Sequence, residues 1–441
     1  MRVGERLERL AARAQRDGRI PALTVAVHRA DRPLWTHGIG AEPEAQFRIG
    51  SITKTFTAVL VLQCRDDGLL DLDDPVGRHL DVPAHGELTV RRLLSHTSGL
   101  QREPFGDVWD NLRVPDAQRL LTDLERAERV LPPGRRYHYS NLGVALLGQL
   151  VGRLRGGTWG QALAERILEP LDLTGITVQP TGAAVQGYLV DAYSDHARPE
   201  PPVDFDAVGP AAQLWGTAAD LARWAAFLAD PGEMDPNGTV LAAATLDEMR
   251  WPHTVTDEAL WAAGFGLGLI VVPRGDRVVH VGHDGAMPGF LAAAYGRRGG
   301  DAPPALGAAA LGSSGTGTQV FELPHALLSA AVEHEPARIE PWRPGPPAPE
   351  HLRSVLGRWW GEGYEYVFSW HDGALQARGA ADPAGRPPAV FAQVEPDLLR
   401  TQSGREAGEL LRLTRDPATG EVVRLHWATY RFTRDQQTFG D

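Results

Sequence analysis

A proline-rich segment divides the chain and limits what either side of it can fold into. Six prolines fall between Glu335 and Pro349. Because proline fixes φ and has no N–H, such a segment forms a stiff, extended linker rather than a helix or a central strand. At 441 residues the chain is also longer than a usual single domain. We therefore expect two domains, residues 1–334 and 350–441, joined by a linker over 335–349.

The part after the linker has the pattern of a small antiparallel β domain. Aromatic residues alternate with other residues from Tyr364 to Trp370 and lead into Asp372-Gly373. Alternation with a period of two indicates a strand, and Asp-Gly between two such runs indicates a tight hairpin. Similar short runs continue to Phe432, so the pattern predicts a barrel-like or sandwich-like domain.

The part before the linker mixes helical and strand patterns, as in a mixed α/β (α+β) domain. Residues 100–136 are rich in Arg and Asp and are expected to be loop and helix that frame a cleft. The patterns predict strands at 22–28, 33–38, 265–272, 278–283 and after Phe290, and helices at 51–68, 142–154, 159–168 and 320–332.

Composition excludes several classes of function. The formal net charge of −12 disfavours nucleic acid and anionic membrane as partners. The single cysteine, Cys64, excludes an internal disulfide and a cysteine-based metal cluster, and we interpret it as a small buried hydrophobe.

The first ten residues form a charged amphipathic pattern without the apolar core of a signal peptide. We expect a cytoplasmic, monomeric protein that needs no metal or organic cofactor and acts on a small-molecule or peptide substrate.

The strongest chemical signal is Ser51 followed by Lys54 at the start of an apolar helix. Residues three apart lie on the same helix face, so the hydroxyl and the amine can meet. Lys54 is the only lysine, since 43 of the 44 basic residues are arginines. Arginine cannot replace lysine where the side chain must lose its proton. The pair is therefore predicted to be a nucleophile and its base.

Two further clusters follow in the chain, Tyr139-Ser140-Asn141 and Gly282-His283-Asp284-Gly285. The three clusters in this order resemble the penicillin-binding-protein and serine β-lactamase superfamily, especially its branch of class C β-lactamases, D-peptidases and family VIII esterases. The flanking residues 94–100 and 286–290 match as well, and the resemblance spans roughly residues 5–333. It implies an antiparallel sheet packed against helices, with the cleft beside an all-helical region, and a lipocalin-like C-terminal domain.

The resemblance also implies roles for single residues. Ser51 would be the nucleophile and Lys54 its proton acceptor. Tyr139 would carry the proton to the leaving group, with its phenol pKa lowered by Lys54 nearby. Asn141 would hold the substrate amide and help to position Lys54. The N–H groups of Ser51 and Ala286 would form the oxyanion hole.

The third cluster departs from the β-lactamase pattern, because His283 stands where those enzymes carry lysine. His283 and Gly285 are expected to line the substrate site, and the loss of a permanent charge that would bind a β-lactam carboxylate predicts inefficient penicillin hydrolysis. Histidine at this place resembles D-peptidases and some esterases. His96, within the flanking residues, we interpret as part of a turn and packing element outside the site.

Three functions remain open from sequence. Water could attack the acyl-enzyme, as in an esterase, amidase or D-peptidase. An amine of the substrate could attack instead, because the chain also resembles the penicillin-binding-protein-type thioesterases, which release nonribosomal peptides as macrocycles. In that case Arg431 or Arg434 of the C-terminal domain would hold the peptide carboxylate. A catalytically inactive binding protein on the same fold is the third function.

Overall fold

The computed structural model describes residues 3–30, 32, 34–134, 136–232, 234–300, 303, 305–337, 341–383 and 385–438. The chain divides into two compact units, Met1–Arg338 and Ile339–Asp441. Pro33, at the start of a predicted strand, and residues 338–340 of the predicted linker lie outside the described residues.

The first unit contains twelve described strands, and most of the predicted strands lie near the expected positions. Their bounds are β1 Leu23–His28, β2 Trp35–Ile39, β3 Phe47–Arg48, β4 Tyr188–Val190, β5 Ala197–Pro199, β6 Trp215–Gly216, β7 Thr254–Val255, β8 Gly264–Phe265, β9 Ile270–Pro273, β10 Val279–Met287, β11 Phe290–Arg298 and β12 Gly307–Gly312. The prediction of one strand over 265–272 is wrong: Gly268, with φ +77°, lies in a turn between two short strands, Gly264–Phe265 and Ile270–Pro273, which pair with each other.

The first unit also contains eleven described α-helices, and the predicted helices are among them. Their bounds are α1 Val3–Asp17, α2 Thr53–Asp66, α3 Val90–Leu94, α4 Val108–Asn111, α5 Ala117–Thr122, α6 Asn141–Arg155, α7 Trp159–Leu163, α8 Gly209–Ala212, α9 Ala218–Ala229, α10 Ala243–Arg250 and α11 Gln319–His334.

Eight of these strands form one antiparallel sheet in the order β2-β1-β12-β11-β10-β9-β8-β7. Side chains of β1 alternate between its two faces, so that Val25 packs with α1 and α11 while Ala26 joins the core on the opposite face. That second face is covered by α9. The expected mixed fold, an antiparallel sheet flanked by helices, is confirmed.

The central strand β12 was not predicted from the sequence. Its residues are Gly-Ala-Ala-Ala-Leu-Gly, and glycine and alanine are weak strand formers. A Cβ on Gly307 would lie 2.2 Å from the carbonyl oxygen of Ala222 in α9. Small residues are therefore required here because the helix backbone packs directly against the strand.

A helical layer built around α2 and α6 forms the other half of the first unit. In α2 the twelve residues from Thr53 to Cys64 are all buried, which agrees with the expectation for Cys64. The helix ends at Asp66, and Gly68 with φ +73° allows the N–H of Leu69 to reach the carbonyl of Cys64 at 2.9 Å. The predicted helix at 159–168 is α7 continued by one π turn.

The second unit is a closed eight-stranded antiparallel barrel, which confirms the predicted C-terminal β domain. Asp372 and Gly373 have φ of +52° and +73°, as the predicted hairpin turn requires. The strands are β13 Gly357–Gly361, β14 Tyr364–His371, β15 Ala374–Gly379, β16 Ala389–Glu395, β17 Leu398–Thr401, β18 Leu410–Arg415, β19 Val422–Trp427 and β20 Tyr430–Thr433. Within the part of the chain that is described, no helix is both long and apolar enough to cross a bilayer.

Candidate active site

Ser51 and Lys54 meet at the start of α2. Ser51 lies in a short 3-10 turn, Gly50–Ile52, that leads directly into the helix. The Lys54 Nζ atom lies 3.0 Å from Ser51 Oγ and donates a hydrogen bond to the carbonyl oxygen of Ala211 at 2.7 Å. The hydrogen bond to Ala211 orients the amine toward the serine hydroxyl.

The surroundings of Lys54 favour its neutral form. Only 1% of the residue is exposed. Burial lowers the pKa of the Lys54 amine well below its ordinary value; the nearby Glu103 carboxylate raises it somewhat, and the Arg102 guanidinium lowers it further. A neutral lysine amine has a lone pair that can accept the proton of Ser51.

The second cluster is held at the start of α6. Ser140 is the N-cap residue, and its hydroxyl accepts the N–H of Gly143 at 3.0 Å and donates to the carbonyl of Gln101 at 2.7 Å. The Nδ1 atom of His96 accepts the N–H of Ser140 at 3.2 Å, and the His96 and Tyr139 rings are 4.5 Å apart between centroids. His96, which sequence analysis left outside the site, therefore supports Tyr139 directly.

Tyr139 reaches both members of the first cluster. Its hydroxyl hydrogen-bonds the Ser51 side chain, and Lys54 Nζ lies 4.7 Å from the centroid of its ring. The prediction of a lowered phenol pKa is wrong. Burial raises the pKa of Tyr139 above its ordinary value, and the hydrogen bond from Ser51 opposes this only in part. The resting phenol is therefore protonated and able to donate its proton.

The third cluster brings the edge of β10 against the Ser51 turn. Strand β9 pairs with β10 only over Val279–Gly282, so the edge from His283 onward runs beside Gly50 and Ser51. A Cβ on Gly285 would lie 1.9 Å from the carbonyl oxygen of Ile49, and one on Gly50 would lie 2.7 Å from the N atom of Ala286. Both glycines are thus needed for the backbones to approach, which places the Ala286 peptide beside the nucleophile.

His283 is buried beside Tyr139 and is uncharged. Its ring centroid lies 6.2 Å from that of Tyr139. Its Nδ1 atom donates to the carbonyl of Asp284 at 2.5 Å, and its Nε2 atom is buried without a hydrogen-bond partner. Burial is the main cause that lowers the pKa of His283 to about 3, and Lys54 lowers it further whenever its amine is protonated. The site therefore has no permanent charge at the position where β-lactamases carry lysine, as the sequence predicted.

A cavity of about 380 Å³ opens at Ser51. Asn141 lines it: its amide nitrogen donates to Glu103 at 2.7 Å, while its carbonyl oxygen is buried without a partner. The expected support of Lys54 is provided by Ala211 rather than by Asn141. The cavity is lined further by Arg102, Glu103, Trp109, Phe205, Val208, Ala212, Ala286, Met287, Pro288, Leu291 and Gly315.

Arg102, Glu103 and Trp109 were not singled out by sequence analysis, although residues 100–136 were expected to frame a cleft. No local pattern marks these three, because a loop residue becomes part of a site only through the fold that positions the loop. Here the carbonyl of Arg102 accepts the N–H of Asn141 at 2.7 Å, which ties the loop to α6.

Arg431 and Arg434 lie in the second unit. Arg434 donates to the carbonyls of Arg358 at 2.8 Å and Leu356 at 3.2 Å, and its guanidinium lies 3.9 Å from the ring centroid of Trp359. These contacts link the residue after the last barrel strand to the start of the first one. Arg431 donates to the carbonyl of Thr438 at 3.0 Å and lines a cavity of about 220 Å³ formed by strand-connecting turns and residues after the last strand. A role for either residue in substrate binding stays a prediction.

Most of the first unit matches the model of a known family. A family model described as Beta-lactamase matches residues 7–328, and the chain belongs to this family. A second model, a domain of unknown function (DUF7586), matches residues 348–434.

Relatives of known name agree with this assignment. Penicillin-binding protein 4 of Amycolatopsis lactamdurans is 33% identical over 271 residues, which are 57% of this chain and 69% of that protein. The unguisins hydrolase ungD' of Aspergillus campestris is 28% identical over 302 residues, 62% of this chain and 55% of that protein. The chain thus matches little more than half the length of the second relative.

A solved structure extends the similarity to both units. The crystal structure of SurE covers 98% of this chain and 99% of its own, with 25% identity and a TM-score of 0.63. The crystal structure of SurE with D-Leu covers the same shares of the two chains, with 25% identity and a TM-score of 0.57.

Proposed function

We propose that this protein hydrolyses amide or ester bonds on the carbonyl side of a D-residue, through an acyl-enzyme on Ser51. The observation that carries the proposal is the 3.0 Å contact between Ser51 Oγ and the buried amine of Lys54. A buried, neutral amine beside a serine hydroxyl, both at a helix start, is suited to nucleophilic catalysis and has no evident structural purpose.

In the proposed reaction Ser51 Oγ attacks the substrate carbonyl while Lys54 accepts the serine proton. The N–H groups of Ser51 and Ala286 stabilise the oxyanion. As the bond to the leaving group breaks, Tyr139 donates its proton to that group and regains one from the Lys54 ammonium. Water then attacks the ester along the same route in reverse, which releases the acid and restores the resting enzyme.

The acyl group is expected to be a small apolar residue that carries an amide. The cavity at Ser51 combines apolar walls such as Phe205 and Leu291 with the unpartnered carbonyl oxygen of Asn141, which a substrate N–H would satisfy. D-configuration is supported by the similarity to SurE, whose structure has been determined with D-Leu. The neutral His283 argues against penicillins as good substrates.

The test is mass spectrometry of the full chain after exposure to a p-nitrophenyl ester, a D-Ala-D-Ala peptide, a penicillin, and a peptide thioester ending in a D-residue. We expect an adduct on the Ser51 peptide, followed by free acid. Ser51→Ala and Lys54→Arg should form no product, whereas Ser194→Ala, at an exposed turn, should behave as wild type. Full activity in Lys54→Arg would rule out the mechanism, because arginine stays protonated and cannot accept the serine proton.

A second candidate is intramolecular aminolysis, in which an amine of the acyl chain replaces water. It is favoured by the match to SurE across both units, since a catalytic domain followed by a small β domain is the architecture that the resemblance to the penicillin-binding-protein-type thioesterases implies. A product from the peptide thioester lighter than the free acid by one water would establish cyclisation. The absence of any adduct, including one from a fluorophosphonate, would favour an inactive binding protein.

A further inference from the structure

Strand β10 carries the Ala286 N–H of the proposed oxyanion hole. The face of β10 that packs against α11 holds a buried polar cluster, which the proposed reaction does not use. His280 and Asp284 of β10 lie on one face of the sheet, on either side of Gly282, and Tyr295 of β11 is the register partner of Gly282. The Tyr295 hydroxyl donates to the Asp284 carboxyl. His325 of α11 covers the cluster, with its ring centroid 4.2 Å from that of Tyr295.

The histidines of this cluster are uncharged. The Nδ1 atoms of His280 and His325 are 2.7 Å apart, a separation that requires one of them to donate and the other to accept. If both rings were imidazolium, both Nδ1 atoms would carry a proton, and the two protons would repel each other in the 2.7 Å gap. Burial lowers the pKa of His280 to about 3 and that of His325 to about 4, which agrees with a neutral pair.

Asp284 has too few donors to be stable as an anion. Its second carboxyl oxygen, Oδ1, is buried without a hydrogen-bond partner. The charged groups that face the cluster are Glu322 of α11, Arg274 of the β9–β10 turn and Arg297 of β11, and Arg274 pairs with Glu322 at 3.7 Å. Burial is the main cause that raises the pKa of Asp284 to about 7; the Tyr295 hydroxyl opposes this rise and the Glu322 carboxylate adds to it. A buried carboxylate oxygen without a hydrogen-bond donor raises the free energy of the folded state, so this environment favours the protonated form of Asp284.

We propose that Asp284 is a positioning residue that works as a neutral acid: its hydrogen bond to Tyr295 holds β10 so that the following Gly285-Ala286 peptide stays beside Ser51. Ionisation of Asp284 adds a negative charge two residues before the Ala286 N–H, where it opposes the negative charge of the oxyanion. Acylation therefore falls as pH rises past 7. This inference rests on the proposed function, since it assumes that Ser51 is the nucleophile.

The experiment measures the rate at which a fluorophosphonate modifies Ser51, as a function of pH, in the full-length wild type and in Asp284→Asn. Asparagine keeps the shape and cannot ionise. The ratio of the variant's rate to the wild-type rate removes the shared titration of Lys54. We expect that ratio to increase about tenfold as pH rises through 7, the effect of one nearby charge in a partly buried site. Glu322→Gln should move the wild-type fall to lower pH, because it removes a charge that favours the acid form.

Asp276→Asn, the same substitution at an exposed turn before β10, is the matched control and should follow the wild-type profile. Tyr295→Phe should lower the modification rate at all pH values and leave the folded state intact. A constant ratio for Asp284→Asn across this range would overturn the proposal. An infrared band of a protonated carboxylic acid, present in the wild type below pH 7 and missing from Asp284→Asn, is the independent readout. If that band is present but the fluorophosphonate never modifies wild-type Ser51, the acid form of Asp284 stands and the proposed function is wrong.

Discussion

The Lys54 amine lies 3.0 Å from the Ser51 hydroxyl and 2.7 Å from the carbonyl oxygen of Ala211, and only 1% of Lys54 is exposed. A charged amine in such a place would be poorly solvated, with one carbonyl and one hydroxyl as its hydrogen-bond partners. The protein thus keeps a basic group where its charged form is disfavoured. Sites of this kind reduce the stability of the fold and provide the reactivity that catalysis needs.

Lys54→Met should give an inactive protein that is more stable than the wild type. The pKa of Lys54 is lowered in the folded state, so the unfolded chain binds the proton more tightly, and wild-type stability rises with pH between the folded and unfolded pKa values. The variant lacks this dependence. Thermal unfolding over a series of pH values should show an advantage for Lys54→Met that grows as pH falls. A less stable variant at all pH values would contradict a neutral lysine.

Tyr139→Phe should reduce kcat by about 10²–10³-fold with a small change in KM, because it removes the acid that protonates the leaving group. The loss should be larger for amides than for p-nitrophenyl esters, whose leaving group needs no proton. Tyr137→Phe is the matched control: its ring centroid lies 6.5 Å from that of Tyr139, and it contacts His96 rather than Ser51. Equal losses in the two variants would mean that the phenols act through packing.

Asn141→Ala should discriminate between substrates. The unpartnered carbonyl oxygen of Asn141 is expected to accept an N–H of the acyl group, and loss of such a bond costs about 1–3 kcal/mol, or roughly 10–100-fold in kcat/KM. Acyl-D-residue amides should show this loss. A simple acetate ester, which has no N–H to offer, should react at nearly the wild-type rate. Equal losses of kcat/KM on both substrates would indicate instead that the substitution acts by removing the hydrogen bond between Asn141 and Glu103.

Gly285→Ala should abolish acylation and destabilise the first unit. The new Cβ would lie 1.9 Å from the carbonyl oxygen of Ile49, a backbone atom that cannot move without shifting the Ser51 turn. Overpacking of this kind costs about 1–3 kcal/mol or more. Gly182→Ala, where a Cβ meets no atom within 4 Å, should leave both the melting temperature and the rate of Ser51 modification unchanged. An active Gly285→Ala would show that β10 does not form the oxyanion hole.

Several elements of the fold follow from local sequence. The prolines after Glu335 separate two kinds of pattern, and the apolar runs of α2 and α6 have helical length and recognisable ends. The tight turn at Asp372-Gly373 follows from residues that tolerate positive φ. Strand β12 could not be predicted in this way, because its alanines and glycines are selected by the backbone of α9 packed against them, which lies more than seventy residues away in the chain.

The sequence alone determined the identity of the chemical groups: one lysine in the whole chain, three residues after a serine at a helix start, and a tyrosine and a histidine in later clusters. The protonation of these groups was decided only by the tertiary structure. Sequence analysis predicted a lowered phenol pKa for Tyr139, and the fold raises it by burial. A pKa depends on desolvation and on charges within a few ångströms, and those neighbours, such as Arg102, Glu103 and Ala211, come together only when the chain has folded.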